Sequence, residues 1–131
     1  MYDSAMEVER ETILEADPER VWEALTNEAL LSEWFAERAR LDPWEGGEVE
    51  FDCADGERRG TVRRVEEERE LAFTWSREGQ GESLVTFTIE PVEYGTRLVV
   101  VERALDAPVA MASWMPRLDA LQLCLGSLVF A

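Results

Sequence analysis

The chain has 131 residues and a formal net charge of −16; its positive charges are all arginine, and it contains no histidine. That length suits a single domain over residues 1–131, large enough to bury a core. The acidity argues against nucleic acid or an anionic membrane surface as partner, and the missing histidine removes the commonest general base, the usual nucleophilic triads and most zinc sites.

No apolar run is long enough to span a bilayer. The opening stretch MYDSAMEVERE has neither a basic region nor a hydrophobic segment, so it does not read as a secretory signal, and a cytoplasmic location is expected. Cys53 and Cys124 form no C-x-x-C pattern and read as small buried apolar residues.

Glu7 to Glu15 carries Val8, Thr12, Ile13 and Leu14 and reads as a first strand at the end of a sheet. A helix start follows. Asp17 suits an N-cap, and Pro18 sits where its missing N–H costs nothing. Val21, Trp22 and Leu25 share one face of this helix. Thr26 and Asn27 read as a break and a second cap, leading to a short helix with Leu30, Leu31, Trp34 and Phe35 on its apolar side. Glu37 to Leu41 suits a short strand. Asp42 to Gly47 is a turn, in which Trp44 is expected to pack, with a lid over a cavity mouth as the other reading.

The remaining strands alternate. Val49, Phe51 and Cys53 oppose Glu48, Glu50 and Asp52, as in a half-buried antiparallel strand. The Asp55-Gly56 pair marks a hairpin into Arg58 to Glu66, with Val62 and Val65 as its apolar residues. Glu66 to Glu70 is a charged turn. Leu71, Phe73 and Trp75 form one face of the next strand, Val85, Phe87 and Ile89 that of Ser83 to Glu90, which Pro91 is expected to end. Thr96 to Arg103 is the last strand, with Leu98 and Val100 on one side. Ser113 then suits the N-cap of a final helix with Pro116 in its first turn. Leu118, Leu121, Leu125 and Leu128 recur at helical spacing, and Leu123, Cys124 and Val129 widen the apolar face.

The strand, then A-D-P-E-R-V-W-E-A-L-T, then L-x-x-W-F resembles the entry to the family of activator-of-heat-shock-protein-90-ATPase homologues. Gly46-Gly47 before Val49 and Phe51, Gly60-x-Val62, Leu71-x-Phe73-Thr74-Trp75, Gly95-Thr96-x-Leu98 and Trp114 with Leu118 and Leu121 continue the match in order, from about Val8 to Leu128. The family lies in the START-like (SRPBCC) superfamily. The resemblance implies an α+β helix-grip fold in β-αα-β(several)-α order, a curved antiparallel sheet wrapped around a long C-terminal helix, often with a cavity between them.

On that fold the candidate ligand-binding wall is Phe51, Val62, Phe73, Trp75, Phe87, Leu98 and Val100 from the sheet. Trp34 and Phe35 close one end, and Trp114, Leu118, Leu121 and Leu125 line the helix side. A core needs such residues in any case. Glu102 continues the register of Leu98 and Val100, which points a carboxylate inward. It would then have a raised pKa, meet a ligand or pair with an arginine, with Arg64 as the candidate, unless the strand frays and leaves it wet. No catalytic motif, metal-spaced cluster or cofactor signature is present; Glu102 and Tyr94 are the only nominees for acid–base chemistry. The favoured function is non-enzymatic binding of a small hydrophobic or amphipathic molecule between sheet and helix. A co-chaperone-like interaction module and a cyclase- or hydrolase-type enzyme are the alternatives, and a homodimer through the final helix or Trp44 is a further expectation.

Overall fold

The computed structural model describes residues 7–106 and 111–130, and side chains as far as residue 126. The order is β1 (Glu7–Leu14), α1 (Pro18–Thr26), α2 (Glu28–Trp34), β2 (Arg38–Leu41), β3 (Glu48–Cys53), β4 (Gly56–Glu66), β5 (Glu70–Arg77), β6 (Ser83–Val92), β7 (Gly95–Ala104) and α3 (Trp114–Phe130). The strands form one antiparallel sheet in the order β1-β7-β6-β5-β4-β3-β2. The first strand therefore holds one edge. The helix pair carries the chain across to the other edge, and the remaining strands return as a meander.

Local chemistry sets the helix pair. The Asp17 carboxylate accepts from Arg20 N at 3.0 Å, and Pro18 occupies the first helical position. Asn27 closes α1, its N–H donating to Glu23 O at 2.8 Å, and opens α2, its side chain accepting from Leu30 N at 3.0 Å. Each cap contributes about 1 kcal/mol. The Trp34 indole N–H donates to Ala24 O at 2.9 Å and ties the two helices together.

The concave face of the curved sheet carries Phe51, Val62, Phe73, Trp75, Phe87, Leu98 and Val100, all in one buried cluster with Trp34 and Phe35 from the helix pair and Trp114, Leu118, Leu121 and Leu125 from α3. The α+β helix-grip architecture read from the sequence is thus the one formed. At Gly60, a Cβ would run into the backbone of Thr74, so the close approach of β4 and β5 requires glycine there.

Four local expectations change. Arg64 does not continue the inward row of Gly60 and Val62: the β4–β5 register shifts between Val62 and Arg64, and the bulge turns Arg64 outward to Glu66 and Glu70. Pro91 does not end its strand, and lies opposite Thr96. Its ring nitrogen faces the side where β5 has already stopped, the last pair being Glu70 and Thr88, so no ladder bond is lost. Trp44 is 59% exposed on the turn between β2 and β3 instead of packing. Leu123 is 74% exposed, whereas Leu118, Leu121, Cys124 and Leu125 face inward. The side chains of Leu128 and Val129 lie outside the described residues.

Candidate functional site

One end of the grip gathers the start of β4, the end of β5, the end of β7, the C-terminus of α2 and the start of α3. Three rings meet there nearly parallel. Phe35 lies 5.7 Å from Trp75 with 12° between planes and 5.7 Å from Trp114 with 25°, and Trp75 lies 6.0 Å from Trp114 with 22°. Phe51, Phe73 and Phe87 meet this trio at steeper angles, with centroids 4.7–5.8 Å away. Such offset and edge-on contacts suit the quadrupoles of the rings. Two guanidinium groups cap the cluster: Arg58 sits 4.6 Å above Trp75, and Arg117 5.3 Å above Phe35 and 5.8 Å above Trp114.

Glu102 is buried to 1% exposure and uses both carboxylate oxygens. Oε2 accepts from the Ser83 hydroxyl at 2.7 Å and the Trp75 indole N–H at 3.0 Å. Oε1 accepts from the Ala112 backbone N–H at 2.9 Å and the Trp114 indole N–H at 3.0 Å. Four donors meet its carboxylate with no arginine ion pair among the described residues, and they join β5, β6 and β7 to the segment that opens α3. The alternation of β7 persists to this position, so the strand does not fray.

The predicted lining residues Trp34, Phe35, Phe51, Val62, Phe73, Trp75, Phe87, Val100, Trp114, Leu118 and Leu121 come together, and their side chains fill the space between sheet and helix. Beside Glu102 a cavity of about 10 Å³ remains, bounded also by Arg58, Trp75 and Ser83; it has room for one water. On the outside, an open groove of about 450 Å³ runs past Trp34, Phe35, Cys53, Pro116 and Arg117. Phe35 therefore borders both the groove and the ring trio. Tyr94, the other acid–base nominee, is 87% exposed in the turn between β6 and β7, away from the interior.

Sequence reasoning missed Arg58, Ser83, Asp55 and Arg117. Arg58 was within reach, because it precedes Gly60 and Val62 in the same alternating row. Its Nη2 donates to Asp55 Oδ2 at 3.0 Å, and Arg77 Nη1 donates to the same oxygen at 3.2 Å. Arg117 donates through Nε to Phe35 O at 3.1 Å and through Nη1 to Ser113 O at 3.0 Å. Burial pushes the Cys53 thiol pKa up, and the nearby Arg117 and Arg58 guanidinium groups offset part of that rise. Burial, then the neighbouring Glu33, raises Cys124 as well.

The family model described as "Activator of Hsp90 ATPase homolog 1-like protein" matches residues 15–126. No curated protein matches the chain. Among solved structures, protein MLL2253 from Mesorhizobium loti is similar at 24% identity and a TM-score of 0.79, over 92% of this chain and 97% of that one. DynU16, of the dynemicin biosynthetic locus, is similar at 25% identity and a TM-score of 0.82, over 92% of this chain and 47% of that one, so this chain spans about half its length. CalU16 from Micromonospora echinospora is similar at 22% identity and a TM-score of 0.75, over 95% of this chain and 78% of that one.

Proposed function

The chain belongs to the Activator of Hsp90 ATPase homolog 1-like family, and from that premise we propose that it is a non-catalytic cytoplasmic module that binds a small hydrophobic or amphipathic molecule at the aromatic end of its grip. The observation that carries this reading is Phe35, which lines the 450 Å³ groove on one side and stacks on Trp75 on the other. A groove of that volume is in the range of small-molecule sites. Swinging Arg117 and Phe35 aside opens it toward Trp75 and Trp114; Arg117 is held there by two backbone carbonyls, its ring contacts and the Cys53 thiol. Each 100 Å² of apolar ligand surface buried on the rings contributes about 2.5 kcal/mol before the costs of association.

Binding is favoured over catalysis by the state of Glu102. Its four acceptor positions are already filled, so it takes a proton from a ligand only by giving up a bond that holds the fold. One structural neighbour, DynU16, is described as a protein in the dynemicin biosynthetic locus, which is compatible with a carrier role.

The test compares native and denaturing mass spectra of freshly purified protein, together with calorimetric titration of naphthylacetamide, a neutral aromatic probe. Expected are a mass that leaves on denaturation, or heat of binding to the probe, and loss of either in folded Trp75→Ala protein. A bare-chain mass together with no binding of the probe at millimolar concentration refutes the reading.

A further inference from the structure

Arg58 is buried to 2% exposure on the inner face of β4, yet it is only partly satisfied. Nη2 is bonded to Asp55, a carboxylate shared with Arg77. Nε and Nη1 are buried and have no acceptor among the described residues. The side chain borders the 10 Å³ cavity, whose walls include Trp75, Ser83, Glu102, Arg77 and Gly81. Glu102 cannot supply the missing acceptor, because its oxygens already take four donors. Hydrogen-bonding capacity around this cavity is therefore in surplus on the donor side, and the surplus sits on a buried cation. Buried donors left without acceptors are destabilising, charged ones most of all, and native folds seldom keep them without a reason.

We infer that Arg58 is the acid-recognising group of the site, and that the ligand class is a small aromatic carboxylic acid whose ring packs against Trp75 and its stacked neighbours. This rests on the small-molecule reading above and adds the chemistry of the ligand. A carboxylate oxygen is the acceptor that meets a guanidinium best, since a bond with charge on both partners is roughly twice as strong as a neutral one. The cavity admits one oxygen-sized atom as it stands. Seating the rest of the group requires the turn between β5 and β6 to shift outward, against the Leu105 N to Glu82 O bond of 2.9 Å and the Glu82 N to Asp106 Oδ1 bond of 3.3 Å. The turn's exposed Gln80 is a residue of the cavity wall, and the turn itself is closed by a Gln80 N to Arg77 O bond of 3.0 Å.

The experiment titrates wild-type protein by calorimetry with naphthylacetate and with naphthylacetamide, its neutral counterpart. The acid is expected to bind roughly tenfold or more tightly than the amide, the size of effect that separates a charge-assisted pair from a neutral one. In Arg58→Met protein the acid should lose most of its advantage, so that the two affinities converge, and Arg58→Lys should restore part of the difference. The wild-type comparison needs no variant, so it stands even if Arg58→Met fails to fold. Equal affinities for acid and amide in wild type overturn the inference and leave the small-molecule reading intact, with solvent then meeting the spare donors. Failure of both probes to bind overturns the inference, and together with a bare-chain mass it overturns the small-molecule reading as well. A preference for the acid that survives in folded Arg58→Met also overturns it, and moves the acid contact to Arg117 or Arg77.

Discussion

Replacing Glu102 tests whether the buried carboxylate is the fastener that its geometry implies. In Glu102→Ala, the Ala112 N–H, the Trp114 indole N–H and the Ser83 hydroxyl all lose their acceptor, whereas the Trp75 indole keeps Ser83 Oγ at 3.0 Å. Three buried donors left unpaired at about 1–3 kcal/mol each, less the relief of no longer burying a charge, give a loss of about 3–5 kcal/mol. Glu102→Gln is milder. Its amide oxygen can keep Ala112 and Trp114, and its NH₂ can donate to Ser83 Oγ, but the Ser83 hydroxyl then has no acceptor, and the bonds that remain lose their ionic strengthening. About 2 kcal/mol is expected. For a chain of this length these losses correspond to a fall in Tm of about 10–20 °C for alanine and about 5–10 °C for glutamine. Thermal melts followed by circular dichroism measure the loss. The indole proton resonances locate it: those of Trp75 and Trp114 should shift, while that of Trp34, bonded to Ala24 O, should not. An alanine variant within about 0.5 kcal/mol of wild type, as for an ordinary surface substitution, with Trp114 unshifted, would refute the reasoning.

Gly60→Ala should destabilise by several kcal/mol, because the new methyl meets the Thr74 backbone and neither β4 nor β5 can retreat without breaking its ladder; chemical denaturation checks this, and a change of under about 1 kcal/mol would show that the strands separate easily there. Cys53 and Cys124 both hold their protons more tightly than free thiols. Alkylation at mildly alkaline pH should thus be slower in native than in unfolded protein. The folded thiols stay protonated where unfolded ones, with pKa about 8.5, ionise, so their contribution to stability is complete below that pH and is lost as pH rises above it. Denaturation curves recorded at about pH 7 and about pH 10 should show the decline, reduced in Cys53→Ala protein.

Much of the fold was legible because it is written in local chemistry. Asp17 and Asn27 supply the cap oxygens that two adjacent helices require, and strict alternation through Glu48–Cys53 and Leu98–Glu102 fixes which side of each strand is buried. Alternation fails where the chain stops counting by twos. Arg64 looked inward-facing because nothing in the sequence announces the register shift after Val62; the same row read in the other direction leads to Arg58, which is inward. Pro91 misled for a different reason: whether a proline interrupts a strand depends on whether the neighbouring strand still runs beside it, which is a property of the sheet and not of the residue. Trp44 and Leu123 show that a large apolar side chain need not be covered, since the turn and the outer face of α3 leave them in solvent. For the site, the sequence indicated which rings face the interior. How much room they leave depends on the angles at which they meet, and these are set jointly by three strands and two helices.

The two buried charges at this end of the grip separate stability from function. Glu102 has every acceptor position met by protein donors and joins three strands to the start of α3, so the needs of the fold account for it. Arg58 has no such account. One of its nitrogens reaches a carboxylate that Arg77 also uses, two have no acceptor among the described residues, and its flat face lies over Trp75. A methionine in that place would cover the same ring without burying a charge, and exchanges of that kind are often neutral or stabilising in folded proteins. A fold selected for stability alone gains less from a guanidinium there than from such an apolar side chain. Its presence, at the point where the aromatic trio meets a small cavity, is what a ligand's acceptor group would require, and Arg58 rather than Glu102 is therefore the residue at which the chemistry of the bound molecule is to be sought.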